Sequence, residues 1–347
     1  MKDFTVESAP LNLFRFLAII IIVFIHYGGG FFKYYISGGP LVTFFYILSG
    51  YGMFLGNQKH ERINLRQYFT RRATRLLPFY YAALFMMVLF LILSSRFSFT
   101  GFFLSLFCIQ SWFPNYQFSV NPPAWFVTNL MFFYCVFPAI HSLIKKETPD
   151  ATRLLFSGLL LWVFTLIVHN VIMSSFPATY SDYIECFPLF HFSSFYLGIC
   201  GAYFVTESET RKYLAVNNSL PYTGLILLFC VVHLIHPDVF TEIIGDKMLI
   251  ESSWYAPLSL LVIIYLSTAR NNLTKFLSIR FFGLLAIISF PVYIFQAPLH
   301  VIYTHFIGKF LEIKPGADTV LFLMFIMLAA SVLNKIEIKL KSLLLKA

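Results

Sequence analysis

The sequence predicts an all-α polytopic integral membrane protein: about ten transmembrane helices around a polar cavity, with one re-entrant or interfacial segment near 101–113. Three observations predict it. Of 347 residues 59% are hydrophobic and only 12% charged, with a mean hydropathy of +0.76, too apolar for a soluble domain. The apolar runs are long enough to span a bilayer. The basic residues fall on alternate connections, as membrane topology requires.

The spans lie near 11–27, 40–56, 77–94, 124–144, 154–174, 188–206, 220–236, 254–269, 281–306 and 319–340. With the N-terminus inside, nineteen of the 25 Lys and Arg residues fall on inner segments, five on outer ones, and Arg15 stays in the membrane. The run 101–113, GFFLSLFCIQSWF, is short for a span, and counting it as one would invert every later loop and destroy that bias. Both termini are therefore expected in the cytoplasm and the protein in the inner membrane. The net charge of +9 is an orientation signal rather than a sign of nucleic-acid binding. Residues 1–347 are expected to form one membrane domain, its core about 10–306 and its last span 319–340, with no appended soluble domain. The start lacks the pattern of a cleaved signal peptide, and the five cysteines show no metal-site or disulfide spacing.

The first span, LNLFRFLAIIIIVFIH from 11 to 26, carries Arg15 and His26. Eleven residues at roughly 100° each return to nearly the same face, about 16 Å further along the helix. A charged side chain costs about 3 kcal/mol in a membrane span, so it normally faces protein or a water-filled cavity. A snorkelling Arg and a packed His would satisfy the pattern. So would a functional pair, with His26 as general base and Arg15 holding an anionic or carbonyl group.

Ser49, Gly50 and Gly52 interrupt the aromatic second span, where small residues give close helix packing or leave room for a ligand's chain. The loop 59–78 then holds Arg66, Arg71, Arg72 and Arg75 just before a proline expected to open the third span. A basic collar suits anionic lipid on the inner face. Four arginines without a lysine also suit bidentate phosphate recognition, and hence a cytosolic ligand rich in phosphate. Trp112 ends the short run, and Trp125 opens the next span after two prolines. Interfacial Trp residues are ordinary anchors, but the stretch from Trp112 to Trp125 is expected to dip toward the cavity.

These stretches, in this order, resemble the acyltransferase 3 family of bacterial membrane acyltransferases. LNLFRFLAIIIIVFIH is similar to the family's Arg, ten residues, His opening, and FFYILSGYGMFLG to its Leu-Ser-Gly second helix. RRATRLLPFY resembles its Arg-x-x-Arg before a proline, PPAWFVTNLMFFYCVFP its Trp-led helix, and FPLFHFSSFYLGICGA its later Phe and Gly helix. ISFPVYIFQAPL resembles its Ser-Tyr-x-x-Tyr-Leu segment, and the likeness runs from about residue 10 to 305. Departures stand beside it: Asn12 replaces a common Asp, Asn129 falls where one version carries Glu, and Phe295 with Gln296 replace a common Trp-His. The extracellular esterase-like domain of some members is not expected within these 347 residues.

The resemblance implies an enzyme that moves an acyl group, usually acetyl, from cytosolic acyl-coenzyme A to a hydroxyl of a cell-surface polysaccharide or glycolipid sugar. Acetyl-CoA would be a substrate, with no permanently bound cofactor and no metal. It implies Arg72 and Arg75, reinforced by Arg71 and Arg66, on the coenzyme A phosphates, His26 as the base, and Arg15 orienting the donor. Ser49, Gly50, Trp112, Trp125 and Asn129 become candidates for the cavity and acceptor. A transporter of a glycan, lipid or small anion would also use Arg15 and His26, but would more often show inverted repeats, which the sequence lacks. A non-catalytic membrane subunit would tolerate loss of His26.

Overall fold

The computed structural model describes residues 8–28, 38–207, 254–308 and 315–344, and every regular element among them is helical. In chain order these are α1 (Leu11–Tyr27), α2 (Gly39–Asn57), α3 (Leu65–Leu93), α4 (Phe99–Leu106), α5 (Trp125–Glu147) and α6 (Ala151–Ser175). They continue as α7 (Ser181–Cys186), α8 (Pro188–Thr206), α9 (Ala256–Thr268), α10 (Asn272–Leu277), α11 (Arg280–Phe306) and α12 (Pro315–Leu344). Seven helices among the described residues are long and apolar enough to cross a membrane, while Leu11–Tyr27 and Ala256–Thr268 are apolar but shorter. The span expected at 220–236 lies outside the described residues, as do Lys33, Arg211, Lys212, Lys247, Lys309 and Cys230.

The run 101–113 does not form a spanning helix. It folds as α4 followed by a 3-10 turn, Gln110–Trp112. Cys108 breaks the helix at φ 55°, and the hydroxyls of Tyr80 and Tyr81 on α3 donate to the Ser105 and Leu106 carbonyls.

The third long helix corrects the expectation for 59–78. It starts at Leu65, not at Pro78, so the arginines lie on its first three turns rather than in a loop. The Asn64 side chain caps it by accepting from the Gln67 amide at 3.1 Å. Pro78 sits inside the helix, where it removes a single backbone donor.

Two other internal prolines become points of attachment. Pro138 has no N–H to offer the Tyr134 carbonyl one turn back, and the Tyr68 hydroxyl donates to that oxygen instead at 3.0 Å, joining α3 to α5. Pro298 leaves the Ile294 carbonyl open in the same way, and Asn121 Nδ2 fills it at 2.9 Å. That bond ties the segment before α5 to the middle of α11.

The tightest helix pair is α2 on α8. A Cβ at Gly50 would overlap the Phe195 carbonyl oxygen, and one at Gly198 would overlap that of Ile47, so each helix meets the other's backbone at a glycine. Close packing therefore accounts for Gly50. Helix α1 runs along α11 with α12 at its edge, an arrangement that brings His26 to the middle of α11.

Candidate active site

Four arginines on the first turns of α1 and α3 form one electrostatically linked group. Arg15 is half-buried and near enough to Arg75 for their charges to oppose one another, and Arg72 faces Arg71 and Arg75 in the same way. Arg72 is the best held. Its guanidinium lies 3.6 Å from the centre of the Tyr68 ring and 5.5 Å from that of Tyr134, and its Nη1 donates to the Tyr68 carbonyl at 3.2 Å. Tyr68 is fixed in turn by the carbonyl that Pro138 leaves open. Arg66 is exposed on the first turn, apart from this group.

Ion pairs join Lys146 with Glu147 and Lys341 with Glu337, and among the described residues no carboxylate pairs with Arg15, Arg71, Arg72 or Arg75. Like charges crowded together are destabilising, and an anion with several acceptor oxygens relieves that cost. Phosphate is such an anion.

At the other end of α1, His26 is exposed, and its Nδ1–H donates to Gln296 Oε1 at 2.8 Å. Gln296 is completely buried on α11 between Pro291 and Pro298, and its Nε2 donates to the Tyr293 carbonyl at 2.9 Å. The Tyr293 hydroxyl donates to the Pro123 carbonyl at 2.9 Å, and its ring packs 5.5 Å from Phe126. The turn of α11 that meets His26 is thereby locked to the start of α5.

Beside that turn lies a buried nest of polar groups. Asn129 Nδ2 donates to the Tyr46 hydroxyl at 2.8 Å, and its Oδ1 has no partner among the described residues. His191 Nε2–H donates to the Glu185 carbonyl at 2.6 Å, and its Nδ1 likewise lacks a partner among the described residues. The His191 ring stands 4.8 Å from Tyr46 and 5.7 Å from the half-buried Trp125.

A family model described as an acyltransferase domain matches residues 9–334. The chain belongs to the acyltransferase 3 family. No curated protein and no solved structure matches it. Several apolar helices and this family together make it a multi-pass membrane protein of acyltransferase type.

For an acyltransferase 3 protein, the residues singled out in the sequence fall into three places. Arg15, Arg71, Arg72 and Arg75 come together; His26 stands apart from them at the other end of α1; Trp125 and Asn129 join the nest. The rest lie elsewhere. Ser49 donates to the Phe45 carbonyl of its own helix at 2.8 Å, Gly50 is closed by Phe195, and Trp112 is wedged between Phe132 and Phe187. Sequence reasoning gave no role to Gln296, Tyr68 or Asn121. The last two were signalled by Pro138 and Pro298, because a proline within a helix implies a donor brought from elsewhere. Gln296 had two faint signals, an amide in an otherwise apolar run and its place where the family commonly has His.

Proposed function

We propose that the protein is a membrane O-acyltransferase that moves an acyl group, acetyl in the first instance, from cytosolic acyl-CoA to a hydroxyl of a cell-surface polysaccharide or glycolipid sugar. One observation carries the proposal. Helix α1 carries Arg15, in electrostatic range of Arg75 on α3 and, among the described residues, with no carboxylate paired to it, and about 16 Å further along the same helix an imidazole whose Nδ1 contacts Gln296. A donor with phosphates at one end and a thioester on a long thin arm fits that separation.

Arg72 and Arg75, with Arg71 beside them, hold the phosphates by charge-assisted hydrogen bonds. Arg15 takes the inner end of the arm, too far from His26 along the helix to touch the reacting carbon. His26 Nε2 accepts the proton of the acceptor hydroxyl as its oxygen bonds to the thioester carbon. The carbon–sulfur bond then breaks, and the imidazolium returns the proton to the leaving thiolate, so the products are an ester and free thiol. Trp125 would take the acceptor sugar, since a Trp face suits a pyranose ring, with the His191 ring of the buried nest packed 5.7 Å behind it. The enzyme works in the inner membrane with both termini in the cytoplasm, which puts the arginines toward the acyl-CoA pool and His26 toward the outer face.

The test is transfer of label from radiolabelled acetyl-CoA to a membrane glycan extract by purified protein in lipid. Wild type is expected to label the glycan and His26→Ala to lose at least a hundredfold in rate, within the range of general-base contributions. Equal labelling by His26→Ala contradicts the assignment of the base. No labelling and no coenzyme A binding by wild type would leave the transporter in its place.

A further inference from the structure

We propose that Gln296 is a positioning residue: its amide fixes the His26 imidazole in the tautomer protonated at Nδ1, so that Nε2 carries the lone pair that takes the acceptor proton. The inference rests on the reading of His26 as the base.

A carbonyl only accepts, so the amide atom facing the Tyr293 carbonyl at 2.9 Å is the NH2 group of Gln296. The other atom, Oε1, then faces His26 and also only accepts. Nδ1 must therefore be the donor at 2.8 Å, and a neutral imidazole with its proton on Nδ1 has its lone pair on Nε2. Turning the amide over, with the proton moved to Nε2, would keep a bond from NH2 to Nδ1 but set oxygen against the Tyr293 carbonyl, losing the bond made there.

The surroundings prevent the amide from moving away. Gln296 is fully buried, Asn121 holds the Ile294 carbonyl, and Tyr293 is bonded to the Pro123 carbonyl. Among the described residues, titratable groups at this end include Tyr27, whose ring stands 6.0 Å from that of His26, and His300 of α11, stacked on Tyr27 at 4.1 Å. Asp318 of α12 is engaged by the Tyr303 hydroxyl at 2.6 Å. The group that Nδ1 meets at 2.8 Å, the Gln296 amide, is neutral.

The experiment reads the tautomer directly, by nitrogen-15 NMR of the imidazoles in lipid, with His26 identified by difference from His26→Ala. The rate of acetyl transfer and the affinity for coenzyme A are measured on the same samples. The partner variants are Gln296→Met, similar in volume without an amide, and Gln296→Glu, which keeps an oxygen toward Nδ1. Wild type and Gln296→Glu are expected to show the Nδ1 proton. Gln296→Met is expected to shift His26 toward the Nε2-protonated form and to lose at least tenfold in kcat, with coenzyme A affinity unchanged within twofold. An Nε2 proton in wild type, a measurement that needs no variant to fold, overturns the inference, as does a Gln296→Met protein with unaltered tautomer and kcat. If the tautomer follows Gln296 as expected but wild type transfers nothing, the positioning stands and the acyltransfer reading falls.

Discussion

Arg72 shows how much support one charged side chain receives. Its guanidinium rests on Tyr68, and the Tyr68 hydroxyl rests on the carbonyl that Pro138 leaves open. Tyr68→Phe keeps the ring but strands the Tyr134 carbonyl, and an unpartnered buried acceptor costs about 1–3 kcal/mol. A thermal melt in detergent should show that loss with little change in coenzyme A affinity. Arg72→Lys is expected to weaken coenzyme A binding about tenfold or more, a loss of about 1.4 kcal/mol, because lysine supplies charge without the planar fork. Titration calorimetry in nanodiscs measures it. Arg15 and His26 were legible from the sequence because a cation and an imidazole stand out in an apolar run. The partner of His26 was not, since Gln296 lies 270 residues away and a lone amide leaves no periodic trace.

At the scale of elements, the apolar runs located the long helices well, and the shortness of 101–113 separated it from them. The start of α3 was misplaced because Pro78 looked like a helix opening, although Asn64 followed by Gln67 three residues later is an N-terminal signature. Starting at Leu65 puts Arg72 and Arg75 one turn apart on a rigid helix, where a loop would have let them separate. The glycine crossing of α2 on α8 could be read only as small residues in a span, because nothing in the sequence says which two helices meet. Gly50→Ala should force the Phe195 backbone away and destabilise the protein by about 1–3 kcal/mol, the usual cost of overpacking. Gly198→Ala should force the Ile47 backbone away in the same way, and the double variant should cost less than the two together because spreading the helices at one glycine relieves the crowding at the other. Thermal melts of the three proteins decide it.

For the whole molecule, the distribution of basic residues sets the proposed orientation, and the site depends on it: arginines toward the acyl-CoA pool, His26 toward the acceptor. A cysteine placed at Glu61, in a background without native cysteines, should react with an impermeant maleimide in inverted vesicles and not in intact cells. One placed at Asn115 should show the opposite pattern. Family membership, all-helical architecture and the opening Arg and His were legible because composition and residue order carry them. The division of the site into an arginine cluster, an anchored imidazole and a buried nest was not, because it depends on which helices pack together.

The most direct measurement takes coenzyme A affinity and acetyl-transfer rate together on wild type, Arg72→Ala and His26→Ala in one lipid preparation. Arg72→Ala is expected to lose affinity tenfold or more, while His26→Ala binds as wild type does and loses transfer. If His26→Ala loses affinity as far as Arg72→Ala does, or transfers normally, the separation of donor binding from proton transfer along α1 is contradicted.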